Sequence, residues 1–303
     1  MEHLELATRN PQEGTSGGVS LQGLYSRAMA GDEPGVGERL GPYLLEDVLG
    51  RGGMGIVFRA AREPDGETVA LKVLRPELAG EVYEHRFDRE RRIASGLEHP
   101  NLLPIVDAGE SGGRRYVAVR FVDGCSLAEL LETGGPLSVP ELLRLAAEIG
   151  SALDALHEQG LIHRDVKPAN VMLDADGTAA LTDFGLAKGE AYTILTRPGQ
   201  VMGTLDYLAP EVIKGEPATP ASDIYAFGCV VFECLAGRPP FPGGSLVEAT
   251  LAHLEGEPAD PAEAREDVPA ELGWAVRQAL AKGPADRPRT ATAYARLVKV
   301  SAS

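Results

Sequence analysis

Short β-branched runs dominate residues 43–121, and helical patterns take over from about 126, so one chain must build a β-rich unit and then a helical one. The runs at 43–50, 55–62, 68–75, 103–108 and 115–121 predict a mostly antiparallel sheet, interrupted by one helical pattern around 81–96. Beyond it, residues 139–159 carry Leu142, Leu143, Leu145, Ala146, Ile149, Leu153 and Leu156 as a helical stripe. Ser138 with Glu141 reads as its capping box and Gly160 as its stop. Further helices fit 221–237, 244–255, 268–282 and 290–299. Residues 1–41, rich in Gly, Ser, Pro and Glu without a sustained period, read as a flexible extension. A β-rich lobe followed by a helical lobe, hinged near Phe121–Ser126, is an α+β architecture whose cleft is the natural ligand site.

Composition narrows the partners. With 44% hydrophobic residues, 303 positions can bury a real core. A net charge of −16, from 29 Lys+Arg against 45 Asp+Glu, argues against nucleic acid or an anionic membrane surface. Cys125, Cys229 and Cys234 have neither metal-ligand spacing nor an even framework and read as buried reduced thiols. The first 30 residues hold no continuous apolar segment, and the longest apolar run, Ile224–Leu235, contains Glu233 and reads as a buried helix rather than a membrane span. These features predict a cytoplasmic chain.

Four motifs carry chemistry. The first, LGRGGMGIVF at 49–58, sets Gly50, Gly52 and Gly55 as G-x-G-x-x-G, with Gly53 as a fourth glycine. A dinucleotide fold needs a helix directly after such an array. Here Ile56, Val57 and Phe58 continue as strand, which leaves a glycine hairpin able to fold over polyphosphate, or a plain glycine-rich turn. The second motif, VALKV, puts Lys72 on a strand, 18 residues before Glu90 in a helical run whose inward face is marked by Phe87, Ile93, Ala94 and Leu97. An ammonium held by a helix glutamate is fixed to grip phosphates; Glu84 and Glu81 are the competing partners.

The third motif, LIHRDVKPANVML at 161–173, concentrates His163, Arg164, Asp165, Lys167 and Asn170 in a loop that Pro168 keeps from being helical. A carboxylate at 165 can accept the proton of an attacking hydroxyl, Lys167 can neutralise a transferring phosphoryl group, and the Asn170 amide oxygen suits Mg²⁺. The fourth, LTDFGLAK at 181–188, adds Asp183 thirteen residues after Asn170 with an apolar strand pair between them, the arrangement of two Mg²⁺ ligands on adjacent strand ends.

The ordered set Gly50-x-Gly52-x-x-Gly55-x-Val57, Val69-Ala70-Leu71-Lys72, Glu90, His163-Arg164-Asp165…Asn170, Asp183-Phe184-Gly185 and Ala209-Pro210-Glu211 resembles a protein kinase. His99-Pro100-Asn101, Ala221-Ser222-Asp223-Ile224-Tyr225 and AGRPPF at 236–241 make it similar to bacterial Hanks-type serine/threonine kinases, over about 43–299. The resemblance implies a bilobal kinase domain at 42–299, with an N-lobe at 42–121, a C-lobe at 126–299 and a short tail at 300–303. It implies ATP and Mg²⁺, transfer to protein Ser/Thr hydroxyls, Asp165 as base, and Lys72 paired with Glu90. Val57, Ala70 and Met172 would sandwich adenine, with Val119 as gatekeeper and Arg120, Phe121 and Val122 as hinge. Phe184 would stack with His163, Asp223 would brace the catalytic loop, and Glu211 would pair with Arg287.

The Asp165-x-Lys167 arrangement resembles serine/threonine rather than tyrosine kinases, and Leu186 tilts the choice toward serine. Arg164 beside the base, with Lys188, implies activation by a phosphate on Thr193 or Thr196, reached by trans-autophosphorylation in a kinase–kinase dimer, while Thr204 would sit in the substrate pocket. Arg120, at a place that is often acidic, should point away from adenine, and Ala94 is smaller than the usual spine residue. Such kinases are often joined to a membrane helix, so this chain is expected to be either a cytosolic kinase or the cytosolic part of a longer one. Two other readings compete. A pseudokinase scaffold is disfavoured because Lys72, Asp165, Asn170 and Asp183 are all present, and a small-molecule phosphotransferase because Ala209-Pro210-Glu211 and Gly203-Thr204 are present as well.

Overall fold

A computed structural model describes residues 33–53, 55–63, 65–75, 96–184, 205–241, 245–265 and 267–302. Six strands form an antiparallel sheet: β1 (Arg39–Leu40), β2 (Tyr43–Gly52), β3 (Gly55–Arg62), β4 (Thr68–Leu74), β5 (Ile105–Ser111) and β6 (Arg114–Arg120), ordered β1-β2-β3-β4-β6-β5. Alternation decides what each face carries. Tyr43, Leu45, Phe58, Ala60, Val69, Leu71, Val73, Tyr116 and Ala118 pack into one buried cluster. Lys72, between buried Leu71 and Val73, therefore faces the other way. The register places Val57 opposite Lys72 and Ala70 opposite Val119, so these four residues share the face that the apolar cluster leaves.

Three short strands, β7 (Gly124–Ser126), β8 (Val171–Asp174) and β9 (Ala179–Leu181), make a second antiparallel sheet on the helical lobe. The Leu103 N–H donates to the Leu181 carbonyl at 2.9 Å and the Leu181 N–H to that of Asn101 at 2.8 Å, so the segment leading into β5 is tied to β9.

Among the described residues there are eight α-helices: α1 (Leu127–Gly134), α2 (Val139–Glu158), α3 (Pro210–Ile213), α4 (Pro220–Ala236), α5 (Leu246–Glu255), α6 (Pro261–Ala264), α7 (Ala270–Ala279) and α8 (Ala291–Ser301). As expected, Glu141 reaches back at the start of α2, where the Ser138 N–H donates to its Oε2 at 2.9 Å. Helix α4 is the centre of the lobe, with every residue from Ser222 to Phe232 buried. The predicted buried helix at Ile224–Leu235 is this element. Its one partly exposed acid, Glu233, accepts a 2.6 Å hydrogen bond from the Tyr207 hydroxyl. Helices α2, α7 and α8 pack around α4 in one core, where each fully buried Leu or Phe contributes roughly 1.5–3 kcal/mol.

The predicted elements at 43–50, 55–62, 68–75, 139–159, 221–237 and 290–299 are found within a few residues of their expected ends. One expectation is corrected: Cys229 and Cys234 are buried, but Cys125, on the edge strand β7, is only partly covered. The predicted helix around 81–96 lies outside the described residues except at its end.

Candidate active site

Two loops and one strand face converge in the cleft. The β2–β3 turn brings Gly52 opposite Gly55. At Gly55 the requirement for glycine is internal, because a Cβ there would lie 1.9 Å from the Val73 carbonyl oxygen. At Gly50 and Gly52 a Cβ would meet no atom of the described residues within 4 Å. Among the described residues nothing in the packing demands glycine at those two positions, which fits a backbone kept bare for something approaching from outside.

Helix α2 ends at Glu158, with Gly160 in a left-handed conformation at φ 69°, and the chain enters the loop 161–170. Arg164 (φ 65°) and Asp183 (φ 61°) are the two non-glycine residues with positive φ among the described residues. Such backbone costs roughly 1–3 kcal/mol each and persists only where the surroundings impose it. At Arg164 the imposing group is Asp223, in the first turn of α4. Its Oδ1 accepts the Arg164 N–H at 2.9 Å and its Oδ2 the His163 N–H at 2.8 Å. The His157 Nε2 lies 2.8 Å from the same Oδ2.

The next residue, Asp165, is thereby aimed into the cleft mouth with a ring of partners. Lys167 Nζ sits 3.0 Å from its Oδ2. The Asn170 amide nitrogen donates to the Asp165 carbonyl at 2.7 Å and to its Oδ2 at 3.0 Å. With the nitrogen so committed, the amide oxygen of Asn170 is the atom left for a cation.

Asn170 precedes β8 and Asp183 follows β9, and these two strands are antiparallel, so both residues lie at the same end of the small sheet. The Thr182 N–H donates to the Asn170 carbonyl at 3.0 Å, which holds the two ends together. Asp183 Oδ2 accepts from Lys72 Nζ at 2.7 Å, linking the strand face of one lobe to the loop of the other. The partner seen for Lys72 is thus Asp183, while Glu90 lies outside the described residues. An amide oxygen and one carboxylate are hard ligands suited to Mg²⁺, a cation that takes few protein ligands and fills its octahedron with water and phosphate oxygens.

The His163 and Phe184 rings meet edge to face with centroids 6.3 Å apart. Deeper in the lobe, Arg287 grips Glu211 in a two-pronged pair at 2.7 and 2.8 Å, and the Ser222 hydroxyl adds a third bond at 2.7 Å. Burial pushes the Glu211 carboxyl up, but the Arg287 and Ser222 hydrogen bonds outweigh it and hold the pKa below the ordinary value.

A cavity of about 290 Å³ lies against the hinge, with Arg120, Phe121, Val122 and Met172 among its walls, together with Pro100 and Leu103. It draws no lining from the glycine turn or from Lys72, so it flanks the hinge on the side of the 100–103 segment. Arg120 is among the residues on this flank. Lys188, Thr193, Thr196 and Thr204, singled out from the sequence, lie outside the described residues. Sequence reasoning missed His157: it sits one position beyond the apolar stripe of α2, and only the fold reveals that it meets Asp223.

The family model described as "Protein kinase domain" matches residues 43–296. The chain belongs to the protein kinase family. Within the family, it is 41% identical over 252 residues to the serine/threonine-protein kinase PknE of Mycobacterium tuberculosis, covering 83% of this chain and 44% of PknE. It is 40% identical over 253 residues to PknH of Mycobacterium bovis, covering 83% of this chain and 42% of PknH. It is likewise 40% identical over 256 residues to PknD of Mycobacterium tuberculosis, covering 84% of this chain and 39% of PknD. The kinase spans less than half the length of these curated relatives. The bacterial Hanks-type resemblance and the bilobal α+β fold drawn from the motifs are borne out. Among the described residues no helix of this kinase is long and apolar enough to cross a membrane.

Proposed function

We propose that this kinase transfers the γ-phosphoryl group of Mg-ATP to Ser or Thr hydroxyls of proteins. The observation that carries the reading is the arrangement around Asp165: a carboxylate behind backbone held in a left-handed turn, with Lys167 and Asn170 on it and Asp183 on the same sheet end.

In this reading Asp165 orients the attacking hydroxyl and takes its proton as the new P–O bond forms and ADP leaves. Lys167, already on the Asp165 carboxylate, is within reach of the charge on the transferring group. Lys72 holds the α/β-phosphates, and Glu90 is its proposed helix partner. Asn170 Oδ1 and Asp183 would hold Mg²⁺, which supplies charge neutralisation at the β- and γ-oxygens. Val57, Ala70, Val119 and Met172 supply apolar contact to adenine, and the backbone of 120–122 reads its edge. Gly50, Gly52, Gly53 and Gly55 supply N–H groups over the phosphates.

Thr193 and Thr196 are the proposed autophosphorylation sites, the charge arriving near Arg164 and Lys188 through transfer between two copies, with Thr204 at the substrate pocket. A phosphosite map of active protein that shows neither threonine modified removes that part. The transfer itself is tested with labelled ATP on wild type and Asp165→Asn: a loss of about 10²–10⁴-fold in rate is expected, and equal labelling of both overturns the reading.

A further inference from the structure

The outer edge of β2 is covered by residues 33–40, which run antiparallel to it from Tyr43 as far as Arg51. Leu40 pairs with Tyr43 and Arg39 with Leu44. Upstream of β1, the Gly37 N–H donates to the Leu45 carbonyl at 2.7 Å, and the Leu45 N–H donates to the Glu38 carbonyl at 3.0 Å. Glu38 also fastens this strap sideways: its Oε1 accepts from Arg114, at the start of β6, at 2.6 Å, and its Oε2 takes the Gly35 N–H at 3.1 Å. At the far end of β2, Glu33 Oε2 accepts from Arg51 Nη1 at 2.6 Å. Arg51 stands between Gly50 and Gly52, so the strap ends on the glycine turn itself. Register decides which way the arginine points, because cross-strand partners share a face. Gly50 is opposite Val57 and faces the cleft, while Arg51 is opposite the buried Ile56 and lies on the outer face. The turn thus carries a handle on the side away from the cleft, and Glu33 holds it.

We propose that residues 33–40 are a regulatory strap that sets the mobility of the phosphate turn through the Glu33–Arg51 pair. With the pair made, the N–H groups of the turn are held over the nucleotide phosphates, and binding does not have to order them. With the pair broken, a turn rich in glycine has little stiffness of its own, so it swings more widely and nucleotide binds less tightly. Both side chains of the pair are about half exposed, which makes its own strength small and sensitive to salt. A modification or partner that lifts the strap off β2 would act on the nucleotide site without entering it. Charge alone predicts the opposite sign. A carboxylate beside the turn repels a triphosphate, so removing it would tighten binding if Glu33 did nothing else.

The inference rests on the reading of the glycine turn as the cover of the ATP phosphates. Dissociation constants for Mg-ATP and Mg-ADP are measured by calorimetric titration of the full chain for wild type, Glu33→Gln, Arg51→Gln and the double variant. The titrations are run at about 0.05 M and about 0.5 M salt, the second of which screens an exposed pair. Amide hydrogen exchange at residues 50–53 is followed in the nucleotide-free protein. Glu33→Gln is expected to weaken both nucleotides about two- to fivefold at low salt, with faster exchange at the turn, and to have no effect at high salt. In the Arg51→Gln background it is expected to change nothing further. Glu38→Gln, which releases the strap from Arg114 away from the turn, is expected to weaken binding in the same direction by a smaller factor.

A Glu33→Gln variant with unchanged affinity and exchange, or with tighter binding, overturns the proposal. So does an equal effect of Glu33→Gln with and without Arg51, which would assign it to charge rather than to the pair. Unchanged binding in Glu38→Gln beside weakened binding in Glu33→Gln would remove the strap as the carrier. Wild type that binds neither nucleotide would instead sink the reading of the turn as a phosphate cover. The exchange comparison would then still decide whether Glu33 restrains the turn.

Discussion

Gly50 and Gly55 stand five positions apart in one turn, yet a Cβ would meet none of the described residues at the first and the Val73 carbonyl at the second. The two positions therefore answer to different demands. Gly55→Ala must push β3 off β4 and is expected to lower Tm, with loss of ATP binding as a consequence of the displaced turn. Gly50→Ala is expected to leave Tm within about 1 °C while raising the KM for ATP several-fold, because only the approach of phosphate is hindered. Thermal unfolding of both variants beside an ATP titration checks the split, and an equal fall in Tm would show that the turn itself needs glycine at position 50. This difference is invisible in the sequence, where both are letters of the same G-x-G-x-x-G array. The individual chemistry-bearing residues were legible, since Asp165, Lys167, Asn170 and Asp183 announce themselves by type and offset. Their mutual contacts were not: Lys72 on Asp183 joins residues 111 positions apart.

Among the elements, α8 shows how a helix is started from outside itself. Asp154 of α2 accepts the Ala291 N–H at 2.8 Å and the Thr292 N–H at 2.9 Å, while the Thr290 hydroxyl takes the Ala293 N–H at 3.0 Å. Three otherwise unpaired donors are thus satisfied, and a negative charge sits at the helix's positive end. Asp154→Ala is expected to cost about 1–2 kcal/mol and to lower Tm by roughly 2–8 °C, measured by calorimetry. The long strands and helices were readable because their apolar period runs for two turns or several alternations. The two-residue β1 carries too few alternations to announce itself, although it pairs with the strand that follows directly, and the three-residue β7 is nearly as short and finds its partner β8 far along the chain. Cys125 was misjudged for the same reason, its partial exposure being set by the edge position of β7.

The molecule as a whole carries an acid sensitivity built into the helical lobe. His253 is fully buried on α5, with the Tyr225 hydroxyl 3.0 Å from its Nδ1, the Phe241 ring against it, and Lys282 donating to its carbonyl. Burial, and then the Lys282 charge, hold its pKa down at about 4 against an ordinary value of 6.5. The unfolded chain therefore binds a proton that the folded one refuses. Stability from this group is complete above pH 6.5 and is lost as pH falls toward 4. Denaturant unfolding across that window is expected to show a slope that His253→Gln makes shallower, and equal slopes would remove His253 as the cause.

Helix α4 presents no outward side over eleven consecutive positions, Ser222 to Phe232, whereas α2 keeps a wet face along its length. A saturation scan should therefore register the two differently. Tolerance along α2 should rise and fall with the helical repeat. Along α4 it should stay uniformly low, without a repeat, from the first buried turn to Phe232, so that the most heavily shielded helix would look, in such a profile, like no helix at all.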